Sequence, residues 1–439
     1  MNLELKAIPI IETLRNAGFQ AVFAGGCVRD RLLGLKPKDI DITTDATPEQ
    51  VEELFEKTIT VGKQFGVIKV IGKKGLDLDV ATFRKEGNYT DDRHPESVTF
   101  CSMKEDAYRR DFTINGMFYD PTEDKLIDFV GGQADLLEGV IRFIGNPHKR
   151  IAEDKLRMLR ALRFATRLNF TIEKDSYAAI VLFAKEILKV SSERIFDELT
   201  KMFTSDAPDK ALDLLQDTGL LKYILPEVQK LVGVEQGEKY HPEGNTFFHT
   251  KLVMKYSLPT EEARWGALLH DIGKPTTFRI RKGRPTFYGH EDVGADLADN
   301  VMRRMKVKNA FRTAVVYLVK DHMKFFSVQN MKLATVKRFM REPLFMNLLA
   351  LHKADILGSN GDLQNYNYAY TKYAELAQDL NPPALLTGYD LLNMNLTSGP
   401  LFKKILKKVE TQQLENKLKT KEDAINFAQQ LIKNKEYQK

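Results

Sequence analysis

Asp39 and Asp41 stand two residues apart in Asp39-Ile40-Asp41-Ile42, a segment that alternates like a β-strand. Residues i and i+2 of a strand share a face, so the two carboxylates can sit together over one Mg²⁺ or a pair. Their repulsion calls for a cation. Metal ions held there would lower the pKa of an attacking hydroxyl and neutralise charge on a departing pyrophosphate, which are the needs of nucleotidyl transfer. An isolated Asp-x-Asp is equally a solvated strand edge, so its surroundings matter. Upstream lies Gly25-Gly26-Cys27-Val28-Arg29-Asp30. The backbone of such a turn can approach phosphates at Gly26, with Arg29 at the start of the following helix. Asp79, in Asp77-Leu78-Asp79-Val80, is a third carboxylate candidate, although a surface position fits the same pattern.

Glu153-Asp154-Lys155-Leu156-Arg157 falls in a stretch whose periodicity predicts a helix over 151–168. At i and i+3, Asp154 and Arg157 would lie side by side, an acceptor next to a fork of donors. Cytosine and adenine each present an amino donor beside a ring-nitrogen acceptor and complement that pair, whereas uracil and guanine present the reverse order. An intrahelical ion pair accounts for the same spacing. Arg160 and Arg163 extend the basic stripe, as does Arg110 before Asp111. From Pro147 to Phe170 there are seven Lys or Arg against two acids, and from Leu401 onward ten Lys against five acids. Within a net charge of +6, two such stretches point to a polyanion, nucleic acid first, though solvated helix faces satisfy either one alone.

These groups must be positioned by an ordinary globular protein. Of 439 residues, 43% are hydrophobic and 29% charged, with no low-complexity tract, which excludes disordered and fibrous classes and predicts several domains. Cys27 and Cys101 are too few for a disulfide framework, and no run approaches the ~18 apolar residues of a membrane helix, so a cytoplasmic protein is expected. The pattern predicts a helix over 5–17, a strand over 20–23 entering the glycine turn, a helix opened by Thr47-Pro48, and strands over 67–71 and 76–83. From Pro147 onward the periodicity is helical, interrupted by a strand-and-turn pattern at 276–288 around Lys282-Gly283. The expected organisation is an α+β head (1–146) and all-α neck (147–235), body (236–368) and tail (369–439).

The glycine turn followed by Asp39-Ile40-Asp41 resembles the class II tRNA nucleotidyltransferases, the CCA-adding enzymes of the polymerase-β-like superfamily. The similarity continues through 86–100 (EGNYTDDRHPESVTF), 109–120 (RRDFTINGMFYD), 126–136 (LIDFVGGQADL) and 141–164 (IRFIGNPHKRIAEDKLRMLRALRF). It implies a head of antiparallel sheet with helices, then a helical neck, body and tail that grip tRNA, with CTP and ATP as substrates. Asp39, Asp41 and Asp79 would be catalytic, Gly26, Arg29, Arg110, Arg160 and Arg163 would meet the nucleotide, and Asp154 and Arg157 would select its base. The loop at 89–95 matches the one that complete enzymes use to switch from C to A and that CC-only enzymes lack; addition of A alone stays open. The segment 61–67 looks like the CCA-adding side of the superfamily, not the poly(A) side. Separately, His249 and His270-Asp271 in LLHDIGKP resemble the HD phosphohydrolases, whose imidazoles and carboxylates suit a divalent transition metal that activates water. The closing ligand would be Asp355 or Asp321, and His290 and His322 would allow a second metal. A metal phosphohydrolase acting on RNA 3′ ends or nucleotides is therefore the rival from a different class.

Overall fold

The computed structural model describes residues 3–60, 63–72, 76–86, 98–237 and 244–433. The resemblance segment at 89–95 lies outside the described residues, as do positions 61 and 62. The chain divides into two compact units, Met1–Gln229 with Arg304–Lys306, and Lys230–Arg303 with Val307–Lys439.

The first unit is built on a seven-stranded sheet. Its strands are β1 (Ala21–Ala24), β2 (Asp41–Thr44), β3 (Thr58–Ile59), β4 (Val67–Gly72), β5 (Leu76–Thr82), β6 (Phe118–Asp120) and β7 (Lys125–Ile127), in the order β3-β4-β5-β2-β1-β6-β7. The resemblance implied an antiparallel sheet. The observed sheet is mixed, because β5 turns back antiparallel from β4 and so runs parallel to β2. That parallel register sets Asp41 directly beside Asp79. The helix Pro48–Leu54 makes the crossover from β2, and a capping box between Thr47 and Gln50 satisfies its first orphan N–H groups. Val22, Ala24, Phe83, Ala107 and Phe118 form an apolar core under the sheet.

The expected continuous helix over 151–168 is two helices, Pro147–Glu153 and Arg157–Leu168. Asp154 leaves helical space at φ −147°, and its Oδ1 accepts the Leu156 N–H at 3.0 Å. A short acidic side chain competes here with the helix for its own backbone and wins. Asp154 and Arg157 therefore flank a break instead of occupying successive turns of one helix.

Phe112 of the head packs on Phe143 at 5.0 Å and edge-on against Phe164 of the helix Arg157–Leu168 at 5.7 Å. Beside this aromatic contact Asp111, 8% exposed, accepts from Arg160 Nε at 2.8 Å and from Asn115 Nδ2 at 3.0 Å. Burial alone would raise the Asp111 pKa, but Arg160, Asn115 and the charge of Arg157 hold it down at about 2. The folded value lies below the unfolded one, so this group contributes stability that is complete above pH ~4 and drains away as the pH falls toward 2; a shift of this size is worth about 2 kcal/mol. Asp111→Asn should lower the urea stability of the first unit by about that amount at pH 7. The gap from the parent protein should close as both are titrated from pH 5 toward pH 2.

Candidate active site and metal centre

The glycine turn enters the helix Gly26–Leu32 through Gly25, whose φ of 72° and ψ of −129° only glycine adopts readily. A Cβ at Gly25 would also lie 2.9 Å from Arg110 Nη1 and 3.9 Å from Asp41 Oδ2. The turn, the Arg110 guanidinium and the Asp41 carboxylate thus converge on one spot. Asp39 sits in the bend before β2, Asp41 opens that strand, and Asp79 is its partner on β5; all three are exposed. Although Asp41 still meets solvent, partial desolvation beside the Gly25 turn and Arg110 raises its pKa, Asp39 and Asp79 raise it further, and the Arg110 charge lowers it. The three carboxylates thus disfavour one another's charge. Asp79 is also engaged by Lys69 Nζ at 2.9 Å.

Arg110 is oriented from behind by Asp106, a fully buried carboxylate that accepts its Nη2 at 2.9 Å and its Nε at 3.1 Å. Arg29 is placed differently from its expected position. It is 3% exposed, and its fork is spent on Asp30 Oδ1, at 2.8 and 2.6 Å, and on Asn115 Oδ1 at 2.6 Å. Arg163 donates to Glu198 at 2.6 Å, and Arg160 to Asp111. The guanidiniums of Arg29, Arg160 and Arg163 lie 4.9, 5.6 and 4.2 Å from the centroid of the Phe164 ring. At the helix break Asp154 pairs with Arg194 at 2.8 Å, while Arg157 donates to Glu153 at 2.6 Å and to the Arg150 carbonyl at 2.9 Å. Between the two flanking residues themselves the Arg157 backbone N–H donates to the Asp154 carbonyl at 3.1 Å.

The second unit gathers His249, His270, Asp271, His290, His322 and Asp355, all buried. They form two triads, His249–His270–Asp355 and Asp271–His290–His322, each with its ligand atoms within 4.8 Å of one another. Every one of these imidazoles sets Nδ1 against a backbone carbonyl, at 3.3 Å (Gly358), 2.8 Å (Ala267), 2.9 Å (Phe287) and 2.6 Å (Val319). With Nδ1 as donor, the Nε2 lone pairs face inward. They oppose each other at 3.3 Å for His249 and His270 and at 3.1 Å for His290 and His322. Two acceptors so close repel unless a cation lies between them. Ligands bonded at about 2.1 Å on adjacent octahedral corners are themselves about 3.0 Å apart, so these spacings fit metal coordination. Asp355 Oδ1 lies 3.0 Å from His249 Nε2; Asp271 places Oδ2 3.2 Å from His270 and Oδ1 3.4 Å from His290, spanning the two triads. Burial would raise the Asp271 pKa, but His270 and Lys274 hold it well below the usual carboxylate range. Burial pushes His322 down to about 3, leaving it neutral and ready to bind a metal. Asp321, the other candidate for closing the site, pairs with Lys324 at 2.5 Å. Gly273 permits this assembly, since a Cβ there would meet the His290 carbonyl at 2.1 Å.

Residues 21–142 match the Poly A polymerase head domain family, 169–231 the family described as "Probable RNA and SrmB- binding site of polymerase A", and 239–357 the HD domain family. A CCA-adding enzyme of Ligilactobacillus salivarius is 32% identical over 98% of this chain and 97% of its own length. The chain belongs to the CCA-adding enzymes. A relative of the same name from Bacillus licheniformis is 44% identical over 64% of this chain and 68% of its own. The Bacillus stearothermophilus CCA-adding enzyme, solved in complex with CTP, superposes with a TM-score of 0.72 at 25% identity over 99% of both chains. Head and HD domains of these kinds use divalent metals.

Within this member of the CCA-adding family, sequence reasoning passed over Asp106, Asn115 and Lys274. Asn115 lies inside the segment 109–120, and Lys274 follows the His-Asp pair, where its Nζ forms an ion pair with Asp271 at 2.7 Å and donates to Gln236 at 2.6 Å. Their roles depend on partners that only the fold brings near. If the histidine cluster binds metal, adding Mn²⁺ at about 100 times its Kd to chelator-stripped protein should raise the melting temperature of the second unit by roughly 5 to 10 °C. Asp271→Asn should remove most of that shift.

Proposed function

We propose that this chain adds C, C and A to the 3′ end of tRNA from CTP and ATP without a nucleic-acid template. The convergence of Asp41, Asp79 and the Gly25 turn carries this reading, together with full-length similarity to a CCA-adding enzyme. In this account the tRNA 3′-oxygen attacks the α-phosphorus and the bond to pyrophosphate breaks. Asp39, Asp41 and Asp79 hold Mg²⁺, which supplies hydroxyl activation and charge neutralisation. Gly26 gives the triphosphate access to the backbone, and Arg110 faces it. Arg29, Arg160 and Arg163 act as positioning residues around Phe164. Asp154 and Arg157 exchange Arg194 and Glu153 for the Watson–Crick edge of C or A; a mismatched U or G would leave desolvated polar groups unpaired at about 1 to 3 kcal/mol each. Exposed Lys403, Lys404, Lys407 and Lys408, on one face of the helix Pro400–Leu414, suit sugar-phosphate contact in the tail.

A second reading concerns the histidine cluster alone. Its paired Nε2 atoms and spanning Asp271 support a divalent-metal phosphohydrolase centre in addition to the transferase. The transferase reading is tested with three tRNA transcripts ending at the discriminator base, at C and at CC, given Mg²⁺ with CTP and ATP singly and together. All three should be completed to CCA. Extension of the CC-ended transcript alone would make this an A-adding enzyme, and extension of none would refute the reading.

A further inference from the structure

The helical second unit carries a β-hairpin, Arg279–Arg281 paired with Arg284–Thr286. It is closed by Lys282 and Gly283 at φ 50° and 72°, the positive pair that a two-residue turn requires. Between Arg279 and Arg284 stand four cations and no acid. All four are exposed, and none meets a carboxylate among the described residues. Such a ribbon repels itself and attracts a polyanion. Two further features narrow the choice. Tyr288 is 75% exposed with the Arg281 guanidinium 5.2 Å from its ring centroid, and Ile280 is 60% exposed. An exposed flat ring with a guanidinium beside it stacks nucleobases, a use that an acidic peptide would not make of it.

The base of the hairpin touches the histidine cluster. Phe278 and Phe287 close it with ring centroids 5.8 Å apart, and the Lys274 ammonium lies 5.4 Å from the Phe287 ring while bonding Asp271. The Phe287 carbonyl is the group that orients His290. Tyr288 is two residues from that histidine, at most about 7 Å along the chain.

We propose that this hairpin is a single-strand clamp that presents the 3′-terminal phosphate of an oligonucleotide to the histidine cluster, so that the preferred substrate there is an RNA end over a free nucleotide. The proposal rests on the reading of that cluster as hydrolytic. In the step itself a water oxygen forms a new bond to phosphorus and the bond from phosphorus to the ribose 3′-oxygen breaks. The proton given up by water is balanced by one taken up at the leaving ribose oxygen, which departs as a hydroxyl.

The test uses the full chain with Mn²⁺ and measures phosphate release from a 3′-phosphorylated hexa-adenylate and from 3′-AMP. The hexanucleotide should be favoured in kcat/KM by about tenfold or more, the effect of a single stacking contact. Arg281→Ala/Arg284→Ala/Tyr288→Ala should remove that preference and flatten its dependence on salt, while Arg281→Lys/Arg284→Lys should keep most of it. Equal kcat/KM for the two substrates, or a preference that survives the triple alanine variant, would overturn the clamp and leave the hydrolytic reading standing. Phosphate release from neither substrate above the level of Asp271→Asn would overturn both.

Discussion

A buried carboxylate sets the geometry of the first unit. Asp111 accepts from Arg160 of the neck helix and from Asn115 of the head; Arg29 donates to both Asn115 Oδ1 and Asp30, and Asp30 also accepts from Arg167 at 3.3 Å. Removing a charge from water costs several kcal/mol, and it is tolerated only where partners satisfy it on every side. This chain of pairs ties the helix after the glycine turn, the segment that carries Arg110, and the helix that begins at Arg157. A change at any link shifts groups on both sides. Arg29 is therefore linked to Arg160 only through Asn115 and Asp111, from a position that solvent barely reaches.

The second unit shows the converse. Its buried carboxylates have histidines for company, with Lys274 as the ammonium bonded to Asp271. Hydrogen bonds to backbone carbonyls fix each ring so that the inward nitrogens oppose one another. Where the first unit neutralises its buried charge with arginines of its own, the second gathers two triads of imidazole and carboxylate whose donor set suits divalent ions. In both units the scaffold is ordinary packing, and the chemistry lies where that packing holds groups that repel.

Much of this was legible from residue types alone. The alternation at Asp39-Ile40-Asp41-Ile42 placed the acids at a strand, although the strand begins at Asp41 with Asp39 in the bend before it. The i, i+2 argument thus rested on a strand that starts two residues later than the alternation suggests. Lys282-Gly283 marked the hairpin turn for the reason that it forms, positive φ at both positions. The break at Asp154 was not foreseen, because Ile151, Leu156, Leu159 and Leu162 continue the buried face straight across it. Apolar periodicity reports burial and is blind to a side chain that captures its own backbone. The parallel pairing of β2 with β5 was equally hidden, since strand direction follows from how β4 and β5 turn back on each other. Asp106 and Asn115 act through partners, and Asn115 meets Arg29 across 86 positions of chain. No local pattern announces such a role.

Under the proposed function, protein side chains at the break between the two neck helices choose the incoming base. The direct measurement is kcat/KM for CTP, ATP, UTP and GTP on a tRNA transcript ending at CC or at the discriminator base, compared between the parent protein and Asp154→Asn and Arg157→Ala. The account predicts that discrimination of CTP over UTP, and of ATP over GTP, falls by about tenfold to a hundredfold in each variant, as the mismatch costs of one or two polar groups require. A uniform loss of rate with both ratios preserved would contradict it, and would make Asp154 and Arg157 parts of the scaffold.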